Sequence, residues 1–214
     1  MDVTSREANA EDAPFLAWVM LTAARSHCKL CFWDLAFPGP DPQRLDYVAA
    51  MADADPTSFT HYSGFLIAES DGQPVAGLSG YDPSVKGLDG FVASMGTVLD
   101  RTGWSPEHQT MLFERTAPTM TCTPESVEGA WVIEWVATKP EARGKGVART
   151  LLLEILERGR ADDFRRSQIA YLIGNTPAVT AYERVGFEHL DEKRDPSFEA
   201  AFGSPGIARM LRDL

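Results

Sequence analysis

The residues with the clearest chemical potential lie in one stretch, 131–156, which reads WVIEWVATKPEARGKGVARTLLLEIL. An apolar run is followed by a proline-marked turn, a bend holding Gly144 and Gly146, and an amphipathic segment. A glycine-rich bend between a strand and a helix leaves backbone N–H groups pointing outward at a helix N-terminus, and this arrangement binds anions, phosphate above all. Neither glycine has a Cβ, so the backbone can approach a phosphate closely, and Lys145 and Arg149 can reach toward it as point charges. The P-loop pattern G-x-x-x-x-G-K-[ST] is missing, and Gly144-x-Gly146-x-x-Arg149 lacks the third glycine of a dinucleotide fingerprint. A bare turn that only bends the chain is the alternative. Cys28-x-x-Cys31 has zinc-like spacing, but no second Cys or His pair completes four ligands, so no metal is expected. The four histidines, His27, His61, His108 and His189, show no nucleophile or metal pattern.

The elements that must hold this stretch follow from periodicity and turn chemistry. A strand is expected over 2–8, and a helix begins at Asn9–Asp12 chemistry and ends near Ser26. The aromatic and proline-rich segment 27–41 reads as a loop, and 42–54 as a second helix. Two strands, 65–70 and 75–81, are joined by an Asp71-Gly72 turn. Residues 82–129 read as an insertion with helices near 88–99 and 107–116, then a loop. After the strand 131–138 and the helix 147–159 come a strand over 168–173, a short helix from Thr176 to Gly186, and last strands at 187–193 and 207–211. A proline-marked loop carries Phe198 and Phe202 between those last strands. Glu154 and Arg158, four apart, are expected to face solvent together.

At this point the chain resembles a known family. Arg143-Gly144-Lys145-Gly146-Val147-Ala148 matches [Q/R]-x-x-G-x-[G/A], the acyl-CoA pyrophosphate loop of the GNAT superfamily of N-acetyltransferases. Asn175-x-x-Ala178-x-x-x-Tyr182-x-x-x-Gly186-Phe187 is similar to that family's second signature, and Glu134-x-Val136-Ala137-Thr138-x-Pro140 to its central strand. The resemblance covers 134–187 and implies an α/β fold: a central mixed sheet flanked by helices, with a helical insertion between the third and fourth strands. One domain over 1–214 is expected.

The resemblance also implies roles. Acetyl-CoA would be the co-substrate, held by the backbone of Val136, Ala137 and Thr138 along its pantetheine arm. Its pyrophosphate would sit on the bend Arg143, Gly144, Lys145, Gly146, Val147, Ala148 and Arg149. Asn175 and Ala178 would complete the contact, Asn175 being open to a second reading as a mere cap. Tyr182 would protonate the departing thiolate, or else be a core tyrosine on a face with Ala178, Ala181 and Val185. Glu134, placed by period-two counting on one strand face with Val136 and Thr138, is a candidate general base or a structural carboxylate. No Cys–His or Ser–His pair supports a covalent intermediate.

In the family the acceptor groove is bordered by segments that here are 27–41 and 82–129. The insertion is expected to be a lid over it. Phe32, Trp33 and Phe37 are candidates for an apolar or cation-binding wall and Asp34 for pairing with an amine, with loop packing as the alternative.

Bulk composition bounds the partners. Twenty Lys and Arg against 31 Asp and Glu give a formal charge of −11, which argues against nucleic-acid backbone binding and slightly favours a cationic acceptor. The N-terminus lacks a signal-peptide pattern, no run of about 18 apolar residues occurs, and three cysteines make no complete disulfide set. A cytoplasmic protein without membrane contact is expected, as monomer or homodimer. The competing functions are a transferase with another acyl donor or a peptide acceptor, and a non-catalytic acyl-CoA sensor.

Overall fold

A computed structural model describes residues 3–214. Seven strands form one sheet in the order β1-β2-β3-β4-β5-β7-β6. They are β1 (Val3–Glu7), β2 (Phe65–Ser70), β3 (Gln73–Tyr81), β4 (Ala130–Thr138), β5 (Arg166–Leu172), β6 (Glu188–Arg194) and β7 (Gly206–Asp213). Asp2, where the first strand was expected to begin, lies outside the described residues. All neighbours are antiparallel except β4 and β5, which run parallel. Asp71 and Gly72, both at positive φ, close the β2–β3 hairpin as the primed turn requires.

Eight helices cover the faces: α1 (Ala13–Arg25), α2 (Phe32–Ala36), α3 (Asp41–Ala52), α4 (Leu88–Arg101), α5 (Pro106–Cys122), α6 (Val147–Ala161), α7 (Thr176–Glu183) and α8 (Pro196–Phe202). On one face α1, α3 and α4 bury Leu16, Met20, Val48, Met51 and Leu99 against Phe65, Ile67 and Ala137. On the other, α6 sets Leu151, Leu152, Ile155 and Leu156 against Leu78, Trp131 and Ile133. A third cluster joins Cys122 of α5 to Phe198 and Phe202 of α8. The close seating of α6 depends on Gly80: a Cβ there would lie 2.5 Å from both Ile155 Cγ1 and the Trp131 indole nitrogen. Among the described residues no helix is long and apolar enough to cross a membrane.

Three expectations need correction. The segment 27–41 is not all loop, because Cys31 N–H donates to Asp34 Oδ2 at 2.9 Å and starts α2. The chain between Phe198 and Phe202 is also helical, capped by Asp195, which accepts from Ser197 N at 2.8 Å. Finally, α5 does not stop at Thr116 but runs through Pro118 to Cys122, held by the burial of Leu112, Thr116 and Cys122. In addition, Glu154 and Arg158 pair across elements rather than with each other: Ser5 Oγ donates to Glu154 at 2.5 Å, and Arg158 lies 3.6 Å from Glu7.

Candidate active site

The site begins where β4 and β5 part. Their parallel pairing runs from Ala130↔Arg166 to Ile133↔Ile169 and goes no further. From Glu134 onward β4 has a strand neighbour only on its β3 side, where Ala137 pairs Gly77 and Thr138 pairs Ala76. Backbone groups of 134–138 that point away from β3 have no strand partner there and, apart from Thr138 C=O, which accepts from Arg143, are open to a ligand, since an unpaired strand edge seeks hydrogen bonds.

The separation coincides with a bulge. Glu134 pairs Ser79 and Ala137 pairs Gly77, so Trp135 and Val136 stand together against Leu78. Trp135 takes φ 59°, a left-handed conformation that costs a bulky residue about 1–3 kcal/mol and marks functional segments. The bulge overturns the period-two reading. Trp131 and Ile133 pack on the α6 face, Trp135 and Ala137 on the α1 face, and Val136 on the α6 face. Glu134 and Val136 therefore do not share a face, and three successive residues, Glu134, Trp135 and Val136, line one cavity.

That cavity, of about 310 Å³, fills the gap between the strands. Across from the bulge it is lined by Ala170, Tyr171 and Leu172 of β5, then by Asn175, Ala178 and Tyr182. The expected residues Glu134, Val136, Asn175, Ala178 and Tyr182 thus come together. Burial pushes the Glu134 carboxyl up to about 7, with the Tyr81 hydroxyl beside it acting in the opposite direction. Tyr81 is a diagonal neighbour through the pairs Tyr81↔Val132 and Ser79↔Glu134, and it keeps its proton because burial and the Glu134 charge both raise it. Burial also raises the Tyr182 phenol, which stays neutral at physiological pH. Cys31 lines the cavity too, but burial pushes its thiol up to about 12, so it is no thiolate nucleophile.

Asn175 has structural work. It caps α7 by accepting from Ala178 N at 3.2 Å, and its Nδ2 donates to Ser26 Oγ at 2.6 Å, tying α7 to the end of α1. The cap reading of Asn175 is therefore realised, and its place in the cavity lining keeps a ligand contact open to it.

The glycine bend lies outside the cavity lining, one short helical turn beyond the end of β4. Gly144 and Gly146 have φ 73° and 81°, and a Cβ on either would meet no protein atom within 4 Å. Conformation strongly favours glycine at both positions, and the space in front of them is clear for a ligand. Thr150 N–H is bonded to Gly146 C=O, so the N–H groups of Val147, Ala148 and Arg149 precede the intrahelical ladder and are aligned for an anion. The Val147 side chain is buried and can offer only its backbone. Arg143 turns back, Nε donating to Thr138 O at 3.0 Å, and so braces the bend against the strand end.

The residues expected to wall an acceptor do not lie together. Phe32 lines the cavity, but Trp33 and Phe37 are 0% and 1% exposed and belong to the core beneath it. Asp34 is not available to an amine: Arg25 grips it through Nε at 3.1 Å and Nη2 at 2.6 Å, and Arg44 stands 3.4 Å away. Although its burial acts against this, those bonds hold the Asp34 carboxyl below the usual range. The insertion supplies Leu88 and Phe91 from α4 and Thr119 and Met120 from α5, so it walls the cavity. Phe59, Phe198 and Phe202 also line it, and none was singled out as site-forming from the sequence. Phe198 and Phe202, four apart behind an Asp-Pro-Ser start, carried a detectable helix signal; Phe59 carried none.

A family model described as "Acetyltransferase (GNAT) family" matches residues 31–187. A curated relative, the uncharacterized N-acetyltransferase YjgM of Escherichia coli (strain K12), is 38% identical over 79 residues, which are 35% of this chain and 42% of that protein. The chain thus matches less than half the length of that relative. A solved structure described as an acetyltransferase superposes over 98% of both chains with a TM-score of 0.69 at 18% identity. An N-acetyltransferase from Staphylococcus aureus Mu50 superposes over 97% of this chain and 99% of its own, with a TM-score of 0.65 at 19% identity. At such identities these two structures speak for the fold.

Proposed function

Because the chain belongs to the GNAT acetyltransferase family, we propose that it transfers an acetyl group from acetyl-CoA directly to a primary amine. The observation that carries this reading is the convergence of Glu134, Tyr182 and the single-sided end of β4 on one cavity. Acetyl-CoA would lay its pantetheine along Val136, Ala137 and Thr138. The positive-φ turn of Gly144 and Gly146 and the first N–H groups of α6 would take the pyrophosphate, with Lys145 and Arg149 nearby. The helix end favours each negative charge by up to about 1 kcal/mol when exposed.

At the thioester, an N–H of the bulged strand would polarise the carbonyl, a contribution typically worth about 10²–10³ in rate. The amine arrives protonated and must lose a proton before it attacks. Glu134, with a pKa of about 7, is largely ionised at slightly alkaline pH yet basic enough to accept that proton, directly or through water. The amine nitrogen bonds to the carbonyl carbon, the carbon–sulfur bond breaks, and CoA leaves as thiolate. Tyr182, a neutral phenol that burial makes still harder to ionise, would donate a hydrogen bond to the sulfur as charge builds there and supply the proton. A phenol raised above its usual value is a weak acid beside an exposed thiol, so this transfer depends on the same desolvation raising the thiol.

The test is acetyl-CoA-dependent release of free thiol with a panel of amines, with the acetylated amine identified by its mass. Amine-dependent thiol release with a matching N-acetyl product supports the reading. Tight acetyl-CoA binding without release from any amine would favour the acyl-CoA sensor instead.

A further inference from the structure

The walls of the cavity restrict what the acceptor can be, and this step rests on the transferase reading above. Among the described residues that line the cavity, only Glu134 carries a charge at neutral pH. Asp34, the carboxylate expected to pair with an amine, is occupied by Arg25 and Arg44. What the acceptor side offers instead is a chain of rings: Phe59 stacks on Phe91 at 4.8 Å between centroids, Phe32 meets Phe91 edge-on at 5.7 Å, and Phe59 lies 6.2 Å from Trp135. Leu88 and Met120 of the insertion extend this surface outward.

We infer that the acceptor is a monoamine whose amino group is carried on an aromatic or otherwise apolar body without a second charge. The rings offer offset and edge-on contacts to an aromatic body. A carboxylate next to the amine, as in an α-amino acid, would be buried against Glu134 with no cation to pair it, which is strongly disfavoured. A second ammonium group on a short chain would be buried among rings with the one carboxylate already engaged at the reacting nitrogen.

The experiment compares kcat/KM, at one pH and saturating acetyl-CoA, for 2-phenylethylamine, its para-hydroxy derivative and n-hexylamine against putrescine, glutamate and a lysine-containing peptide. The first three are expected to exceed the others by about 10-fold or more, the price of leaving buried polar or charged groups unpaired. Phe91→Ala is expected to lower kcat/KM for 2-phenylethylamine by about 3- to 10-fold through the amine KM rather than the acetyl-CoA KM. Because Phe91 also packs on the core, Met120→Ala is the companion variant: Met120 is 56% exposed, so its truncation leaves folding intact, and about a 3-fold loss is expected. Thiol release with putrescine, glutamate or the peptide at rates equal to or above the apolar amines overturns this inference while leaving the transferase reading in place. A 10-fold preference for octanoyl-CoA over acetyl-CoA, lost in Phe91→Ala, would assign the cavity to the acyl chain and also overturn it. Absence of thiol release with every amine removes the transferase reading and this inference with it.

Discussion

Glu134 carries the proton chemistry of the proposed reaction, and its environment sets two opposite pH dependences. Burial raises its pKa to about 7. The basic form therefore grows as pH rises through 7, and kcat/KM is expected to show a limb near that pH. Glu134→Gln should remove the limb and lower kcat/KM by about 10²-fold. For stability the sign reverses. A folded-state pKa above the ordinary 4.5 means the folded chain holds more protons than the unfolded chain between the two values. The contribution is complete below the unfolded pKa and is lost as pH rises through 7. Glu134→Gln, which cannot ionise, should therefore melt higher than the wild type at pH 8.5 but not at pH 4, by about 3 °C for each kcal/mol recovered. Thermal melts at the two pH values check this, and equal shifts at both would contradict it. Tyr182→Phe, in contrast, should lower kcat by about 10²-fold and leave acetyl-CoA affinity nearly intact. Single-turnover kinetics with the variant decide it; an unchanged chemical step would remove Tyr182 from the proton path. At this scale the sequence was informative, because Glu134, Asn175, Ala178 and Tyr182 fall in recognisable spacings and do meet at one cavity. It failed for Asp34, whose partners Arg25 and Arg44 lie nine and ten residues away on either side with no local pattern to announce them.

At the scale of elements, the bend between β4 and α6 is fixed by two positive-φ glycines, and only conformation excludes other residues there. Gly146→Val should raise the Kd for acetyl-CoA by about 10-fold, since a β-branched residue at φ 81° costs of order 1–3 kcal/mol and shifts the N–H groups it displays. Calorimetric titration measures this, and an unchanged Kd would take the pyrophosphate elsewhere. The β4 bulge lay beyond the reach of sequence reasoning. Strand periodicity assumes regular pairing, and nothing in Glu134-Trp135-Val136 marks the residue that goes left-handed. The short helix α2 is hard to read because five residues make little more than one turn, too few for an apolar stripe to repeat, whereas the seven-residue α8 is legible from its Asp195-Pro196-Ser197 start and its Phe198 and Phe202 spacing. The tail of α5 was hidden by Pro118, which reads as a helix stop unless packing overrides it.

For the whole molecule, the two sheet faces are packed separately, α1 and α3 on one and α6 on the other, and the site opens in the plane of the sheet where β4 and β5 diverge. The order of strands and helices was legible because turn residues and periodicity define them; the divergence was not, because it depends on where a pairing stops. The seating of α6 controls both the core and the glycine bend at its N-terminus. Gly80→Ala, which would drive a methyl to within 2.5 Å of Ile155, should cost about 1–3 kcal/mol in a denaturant melt and weaken acetyl-CoA binding in parallel. The central claim is that one ligand spans the open edge of β4 and the first turn of α6. Amide hydrogen exchange of the full chain with and without acetyl-CoA tests it most directly. Slowed exchange is expected together at 136–138 and at 144–149, with little change in β1 and β2; protection confined to other segments, or at only one of these two, would contradict the account.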